Sequence, residues 1–176
     1  RITVKFTMDR IGSQSFCRHR VFSFAQESTR YCNYSKDMFG NEITFIIPSW
    51  LNIPEGIAYW HDGLGYRVGA DPNNTDFDAS LGYINKSSNY DSFLYALENA
   101  EKSYFRLLKE EWKPQQARQV LPNALKTELV MTGFVSDWKH LFRLRTSFIA
   151  ETGKPHPDIA NLCDPLYNRF KELNLI

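Results

Sequence analysis

The sequence has few cysteines, no long apolar run and almost no net charge, and each absence excludes a class of protein. Its three cysteines, Cys17, Cys32 and Cys163, are too few and odd in number for a disulfide framework. A reducing compartment is expected, the cytoplasm being the simplest. The glycosylation triplets at Asn33, Asn73 and Asn85 are then without meaning. No apolar stretch approaches the roughly 20 residues that span a bilayer, so no membrane partner is expected. No signal peptide opens the chain. Arg1-Ile2-Thr3-Val4-Lys5-Phe6 reads instead as a strand already under way, with an N-terminal part expected ahead of it. The formal charge is +1 and the isoelectric point is near 7.9. Domains that bind nucleic acid by bulk charge commonly exceed about 9, so nucleic acid is not an expected partner. Gly-rich phosphate loops, Cys/His clusters with metal spacing, Ser-His-Asp arrangements and paired carboxylates are also lacking, and no metal is expected.

What is present is charge in one place. Between Arg10 and Lys36 stand five Lys/Arg and one acid, Glu27, a local balance of +4 in a chain of +1. The length of 176 residues and a hydrophobic share of 43% suit one packed domain over 1–176. Ile2, Val4, Phe6 and Met8 alternate as in a half-buried strand. Asn41 to Pro48 reads as a second strand. Residues 49–86 mix Gly, Pro, Asn and Asp with aromatics and read as a long loop or insertion. A helix is expected from Tyr90 to Trp112, with Phe93, Leu97, Ala100, Tyr104 and Leu107 as its apolar stripe. Pro114 stops it and starts a short helix through Arg118. Leu121-Pro122-Asn123 is a turn, and Leu125 to Phe134 is β-prone. Ser136 is placed to cap a helix from Asp137 to about Ser147. A last helical segment carries Ile159, Leu162, Leu166 and Phe170, with a break expected at Asp164-Pro165. The class is α+β, a mixed or antiparallel sheet with long packed helices.

Arg18, Arg20 and Arg30 offer planar forks of donors that match phosphate and carboxylate oxygens. They form either a solvated basic face or an anion site. Interleaving with Phe16, Phe22, Phe24 and Tyr31 suggests partial burial, and Glu27 is the only local counter-charge. Arg145 shares a helix face with Trp138, Leu141 and Phe142, while Lys139 and Arg143 fall on the other. It must snorkel outward or meet a buried anion. His19, between two arginines, is expected to be neutral at pH 7. Cys17 beside Phe16 reads as core filler rather than as a nucleophile.

Arg18-His19-Arg20, Ser23, Ser28 and Arg30-Tyr31 resemble the signature of flavin-dependent thymidylate synthases: Arg-His-Arg, two residues, Ser, then a short stretch to Ser-x-Arg. A second block has the family's order and spacing: Arg118-Gln119-Val120-Leu121-Pro122-Asn123, Thr127, Thr132-Gly133, Trp138, His140 and Arg145. The resemblance covers 1–48 and about 90–160. It implies reductive methylation of dUMP to dTMP by a homotetramer with shared active sites. Methylenetetrahydrofolate supplies the carbon, NADPH the reducing equivalents, and FAD relays the hydride. By the same resemblance Arg145 is catalytic, stabilising negative charge on the uracil ring. Ser15, Arg18, Gln26, Glu27, Ser28, Arg30 and Arg118 would join it in holding dUMP. Arg18, His19, Arg20, Gln26, Phe134, Ser136 and His140 would contact FAD. Four positions depart from the family pattern. Ser15 stands where an acid or amide is frequent and Ala25 where Asn is common. Phe134 and Ser136 match a flavin-binding Asn and Arg. Helical geometry places His140 opposite Arg145. Two other readings remain open: a nucleotide- or RNA-binding module with arginine and aromatic stacking, and an inactive relative of the enzyme.

Overall fold

The computed structural model describes residues 1–36, 42–51, 58–61, 66–69 and 89–176. In chain order the elements are β1 (Ile2–Asp9), α1 (Arg10–Cys17), β2 (Ser23–Gln26), β3 (Ala58–His61), β4 (Tyr66–Gly69), α2 (Asn89–Lys109), α3 (Pro114–Ala117), a 3-10 turn (Arg118–Val120), β5 (Lys126–Gly133), α4 (Val135–Arg145) and α5 (Pro157–Glu172). The class is the expected mixture of helices with a small antiparallel sheet. Two compact units emerge: Arg1–Trp50 with Pro122–Ile176, and Leu51–Leu121.

The first unit is built on a sheet of order β1-β5-β2. β1 and β5 run antiparallel with Phe6 opposite Leu129. Alternation sets which face is buried. Phe6 and Met8 of β1, and Thr127, Leu129 and Met131 of β5, are all buried. β2 pairs with the other edge of β5, Phe24 opposite Met131. α4 and α5 supply Trp138, Leu141, Phe142, Ile159, Cys163 and Phe170 to the same core. Trp138 is its centre. It is fully buried, packs edge-on to Phe22 at 4.8 Å between ring centroids, and donates its indole N–H to the Ile2 carbonyl at 3.3 Å.

α1 and β2 arise inside the basic stretch, for which no element is expected from sequence. Asp9 caps α1 by accepting from the Gly12 N–H at 2.6 Å. A Cβ on Gly12 would stand 2.7 Å from that Asp9 oxygen, so any larger residue there would push the capping side chain aside. Inside the unit, Gln26 Nε2 donates to Ser13 Oγ at 2.7 Å and reaches Thr127 Oγ1 at 3.4 Å. Both hydroxyls are on fully buried residues, and Ser13 Oγ also donates to Arg10 O at 2.8 Å, so the amide ties α1, β2 and β5 together through buried polar groups.

Three expectations need correction here. Of the stretch expected as a second strand, the described residues 42–48 make one isolated bridge, Phe45 to Leu125, rather than a strand. They dock through Lys126 N–H to Thr44 O (3.0 Å) and Ile46 N–H to Ala124 O (2.8 Å), and Pro48 can donate nothing further. α4 begins at Val135, and Asp137 rather than Ser136 closes its start, accepting from the Phe134 N–H at 2.8 Å. Ser136 lies within the first turn. α5 runs unbroken through Pro165. The proline removes one N–H on an exposed face, while buried Ile159, Cys163 and Phe170 on either side hold the helix to the core.

The second unit holds α2, α3, the 3-10 turn and the antiparallel pair β3–β4. That pair replaces part of the expected 49–86 loop; most of the rest lies outside the described residues. On α2, Leu97 and Tyr104 are buried, as the stripe predicts. The helix stops short of Trp112 because Glu111 takes a left-handed φ of 64°. The Trp112 N–H then reaches Leu107 O at 3.0 Å and the Glu111 N–H reaches Leu108 O at 3.1 Å. This pair of bonds closes a helix end that glycine usually makes.

Candidate functional site

α4 carries its site residue at its last turn. Trp138, Leu141 and Phe142 are fully buried, and Arg145 is half-buried at the end of the same face. The helix stops there because Thr146 turns extended (φ −93°, ψ 152°). Thr146 is itself buried, its hydroxyl bonded to Phe142 O at 2.8 Å. The next residue, Ser147, donates its N–H to Asp164 of α5 at 2.9 Å. Arg145 therefore sits on a fixed helix end, where the dipole favours a cation.

Its partner is a histidine. Arg145 Nε donates to His19 Nε2 at 3.1 Å. An arginine Nε–H can only donate, so His19 accepts there and carries its own proton on Nδ1. His19 is pushed down to about 4, first by desolvation and then by the charges of Arg145 and His140. The expected neutral histidine is thus found, though burial outweighs the flanking arginines as its cause. In the unfolded chain this imidazole takes up its proton near 6.5. Between those values the unfolded state binds more protons, so stability rises with pH there. The contribution is fully present above about 6.5 and is lost as pH falls towards 4. At a half-exposed imidazole, screening limits it to about 1 kcal/mol. Melting temperatures at pH 7.5 and 4.5 should differ less in His19→Gln than in the parent protein.

Around this pair lies a concavity of about 290 Å³, lined by Arg18, His19, Arg20, Val21, His140, Leu144 and Arg145. Two expectations change here. His140 is not opposed to Arg145: His140 and Leu144 share a helix row, and the long Arg145 side chain reaches the same hollow. Arg18, Arg20 and Arg30 are exposed rather than partly buried. The interleaved Phe16 and Phe22 point into the core and leave the cations outside. Arg18 and Arg20 have no acidic partner among the described residues. Glu27, the expected counter-charge, instead faces Lys126 at 3.5 Å.

Arg145 also lines a second cavity, of about 340 Å³, with Ser15, Asp9, His156, Asp158 and a mainly aliphatic wall. Burial, and then Asp158, push the Asp9 carboxyl up, against the Gly12 N–H. Asp9, His156 and Asp158 carry no sequence signal beyond a capping aspartate and a helix start.

The other expected site residues lie apart from both hollows. Gln26 is bonded to Ser13 and Thr127, as described above. Ser28 and Arg30 follow β2 in an exposed turn, where Ser28 Oγ accepts from the Arg30 N–H at 3.4 Å. The Arg30 guanidinium stands 5.5 Å from the Tyr31 ring. Phe134 is exposed, with the Arg1 guanidinium 4.7 Å from its ring, and Ser136 is exposed beside it. Arg118 belongs to the second unit. Cys17 packs against the core and burial raises its thiol, which suits filler and not a nucleophile. Among the described residues, no group of three or more His, Cys, Asp and Glu could hold a metal ion. No helix among them is long and apolar enough to cross a membrane.

A family model described as thymidylate synthase complementing protein matches residues 1–173. The flavin-dependent thymidylate synthase of Corynebacterium efficiens is 29% identical over 140 residues, covering 80% of this chain and 47% of that protein. The one from Corynebacterium aurimucosum is 26% identical over 146 residues, covering 82% and 49%. The chain thus spans about half the length of these curated relatives. Among solved structures, the UMP/dUMP methylase PolB from Streptomyces cacaoi, bound with 5-Br dUMP, is similar in fold. Its TM-score is 0.65 at 24% identity, covering 97% of this chain and 66% of that one.

Proposed function

The chain belongs to the thymidylate synthase complementing protein family, and from that premise we propose that it methylates dUMP reductively to dTMP. Methylenetetrahydrofolate is the carbon donor, NADPH the reductant and FAD the bound cofactor. The observation that carries this reading is the uncompensated cation at the end of α4: Arg145 is held by an uncharged histidine, beside Arg18 and Arg20. The likeness to a UMP/dUMP methylase in fold supports it.

Arg145 faces uracil N3 and O4 in this reading. The uracil ring must become electron-rich at C5 before it can attack a methylene carbon, and the negative charge of that ring is carried largely at O4 and N3. A cation fixed before the reaction stabilises that charge without reorganising. Arg118, Arg30, Arg18 and Ser28 hold the nucleotide, with Ser15, Gln26 and Glu27. Exposed guanidinium groups without acidic partners suit the pyrophosphate of FAD, so the donor set fits. Arg18, His19, Arg20 and His140 would hold the flavin, with Gln26, Phe134 and Ser136. The flavin supplies the hydride when bound, and no protein thiol is required. Active sites shared within a homotetramer would bring together residues that lie apart in one chain, such as Ser28 and Arg145.

The test is direct. The purified protein should be yellow with oxidised flavin, and should form dTMP from dUMP when given FAD, NADPH and methylenetetrahydrofolate. No dTMP under those conditions would overturn the reading.

A further inference from the structure

We propose that His19 is a positioning residue that fixes the Arg145 guanidinium while leaving its charge uncompensated. The role of Arg145 at a substrate rests on the function proposed above; the arrangement of the two side chains does not.

Arginines held in partly buried places usually meet a carboxylate, which fixes the fork and cancels its charge. Here the Nε–H, the donor nearest the helix, goes to an imidazole at 3.1 Å. The two terminal amino groups have no partner among the described residues. The acceptor adds geometry and no negative charge. His19 is in turn fixed by its backbone. Its N–H donates to Phe16 O at 2.9 Å, and its carbonyl accepts from the Phe22 N–H at 3.2 Å. Phe16 and Phe22 are both buried in the core. The ionisable groups around the imidazole are His140 and Arg145 from α4 and Arg18 and Arg20 on its own segment, and none is acidic. This environment keeps the imidazole neutral, and only a neutral imidazole can accept.

The arrangement separates two properties that a carboxylate would join: orientation and cancellation of charge. Three variants of the protein test it. His19→Gln keeps an uncharged acceptor at the Nε2 position. His19→Glu keeps an acceptor but compensates the cation. His19→Leu removes the acceptor. Nitrogen NMR of the free protein at pH 7 should show the Nδ1–H tautomer of His19. A resolved Arg145 Nε–H signal should persist in the Gln and Glu variants and broaden or vanish in Leu. Inorganic phosphate should shift that signal in the parent and the Gln variant. The apparent affinity should be at least about tenfold weaker in Glu, because a compensated guanidinium loses its attraction for a second anion. An Nε2–H tautomer, an unchanged Arg145 signal in Leu, or equal phosphate affinity in Glu and Gln would each overturn the proposal. A parallel titration with dUMP reads the other claim. If phosphate ranks the variants as stated and dUMP does not bind the parent, the positioning role stands and the assigned substrate falls.

Discussion

Arg145→Ala is expected to leave the protein folded and to abolish dTMP formation. The side chain is half-buried, and its hydrogen-bond partner among the described residues is the half-buried His19 imidazole, so folding loses little. The chemistry loses much more. Removing one preorganised donor from the charge that develops in a transition state lowers kcat by about 10²–10³-fold. Arg145→Lys keeps the charge but cannot reach His19 and the substrate with one planar group, so it should recover only part of the rate. A melting curve within a few degrees of the parent, beside rates of dTMP formation, checks both halves. Normal turnover in the alanine variant would remove Arg145 from the mechanism.

Trp138→Ala should be the most destabilising single substitution in the first unit. The indole is fully buried, with ring contacts to Phe6, Phe22, Phe142 and Phe170. Truncating a buried tryptophan costs about 3–5 kcal/mol, against a total of about 5–15 kcal/mol for a typical domain. The loss also removes the indole hydrogen bond to the Ile2 carbonyl. Chemical denaturation should show the midpoint collapsing, with Trp138→Phe intermediate because it keeps most of the volume and loses the hydrogen bond. A loss below about 1 kcal/mol would mean the core closes over the gap.

The parts of the fold that show in the sequence are those whose apolar residues keep a clear period. β1, β5, α2 and the inner face of α4 do so, and Arg145 could be picked out as the odd residue on that face. α1 hides because its burial runs against hydropathy. Gly12 and Ser13 are buried while Ile11 is 49% exposed. β2 hides because it is a short edge strand, held by backbone pairing to β5 more than by apolar side chains. Pro165 misleads because local propensity yields to packing on both sides of it. The Arg145–His19 contact could not be read either. It joins residues 126 apart, and sequence periodicity says which face a side chain leaves, not how far it reaches. Aromatic neighbours of Arg18 and Arg20 suggested burial, yet the chain turns between α1 and β2, so Phe16 and Phe22 enter the core while Arg18, Arg20 and Val21 stay outside.

One consequence follows from the way Arg18 to Val21 is fastened. Phe16 and Phe22 clamp the strap at both ends, and the Phe22 ring lies where a Cβ on Gly133 would come within 2.6 Å. A glycine in the central strand therefore lets the anchor seat. With both ends of the short strap anchored in the core, it has few conformations to lose on binding, and affinity gains what a floppy loop would forfeit. The recognition surface is in this sense rigid by inheritance from the sheet beneath it, and a methyl group added at Gly133 would be felt at the cations without touching them.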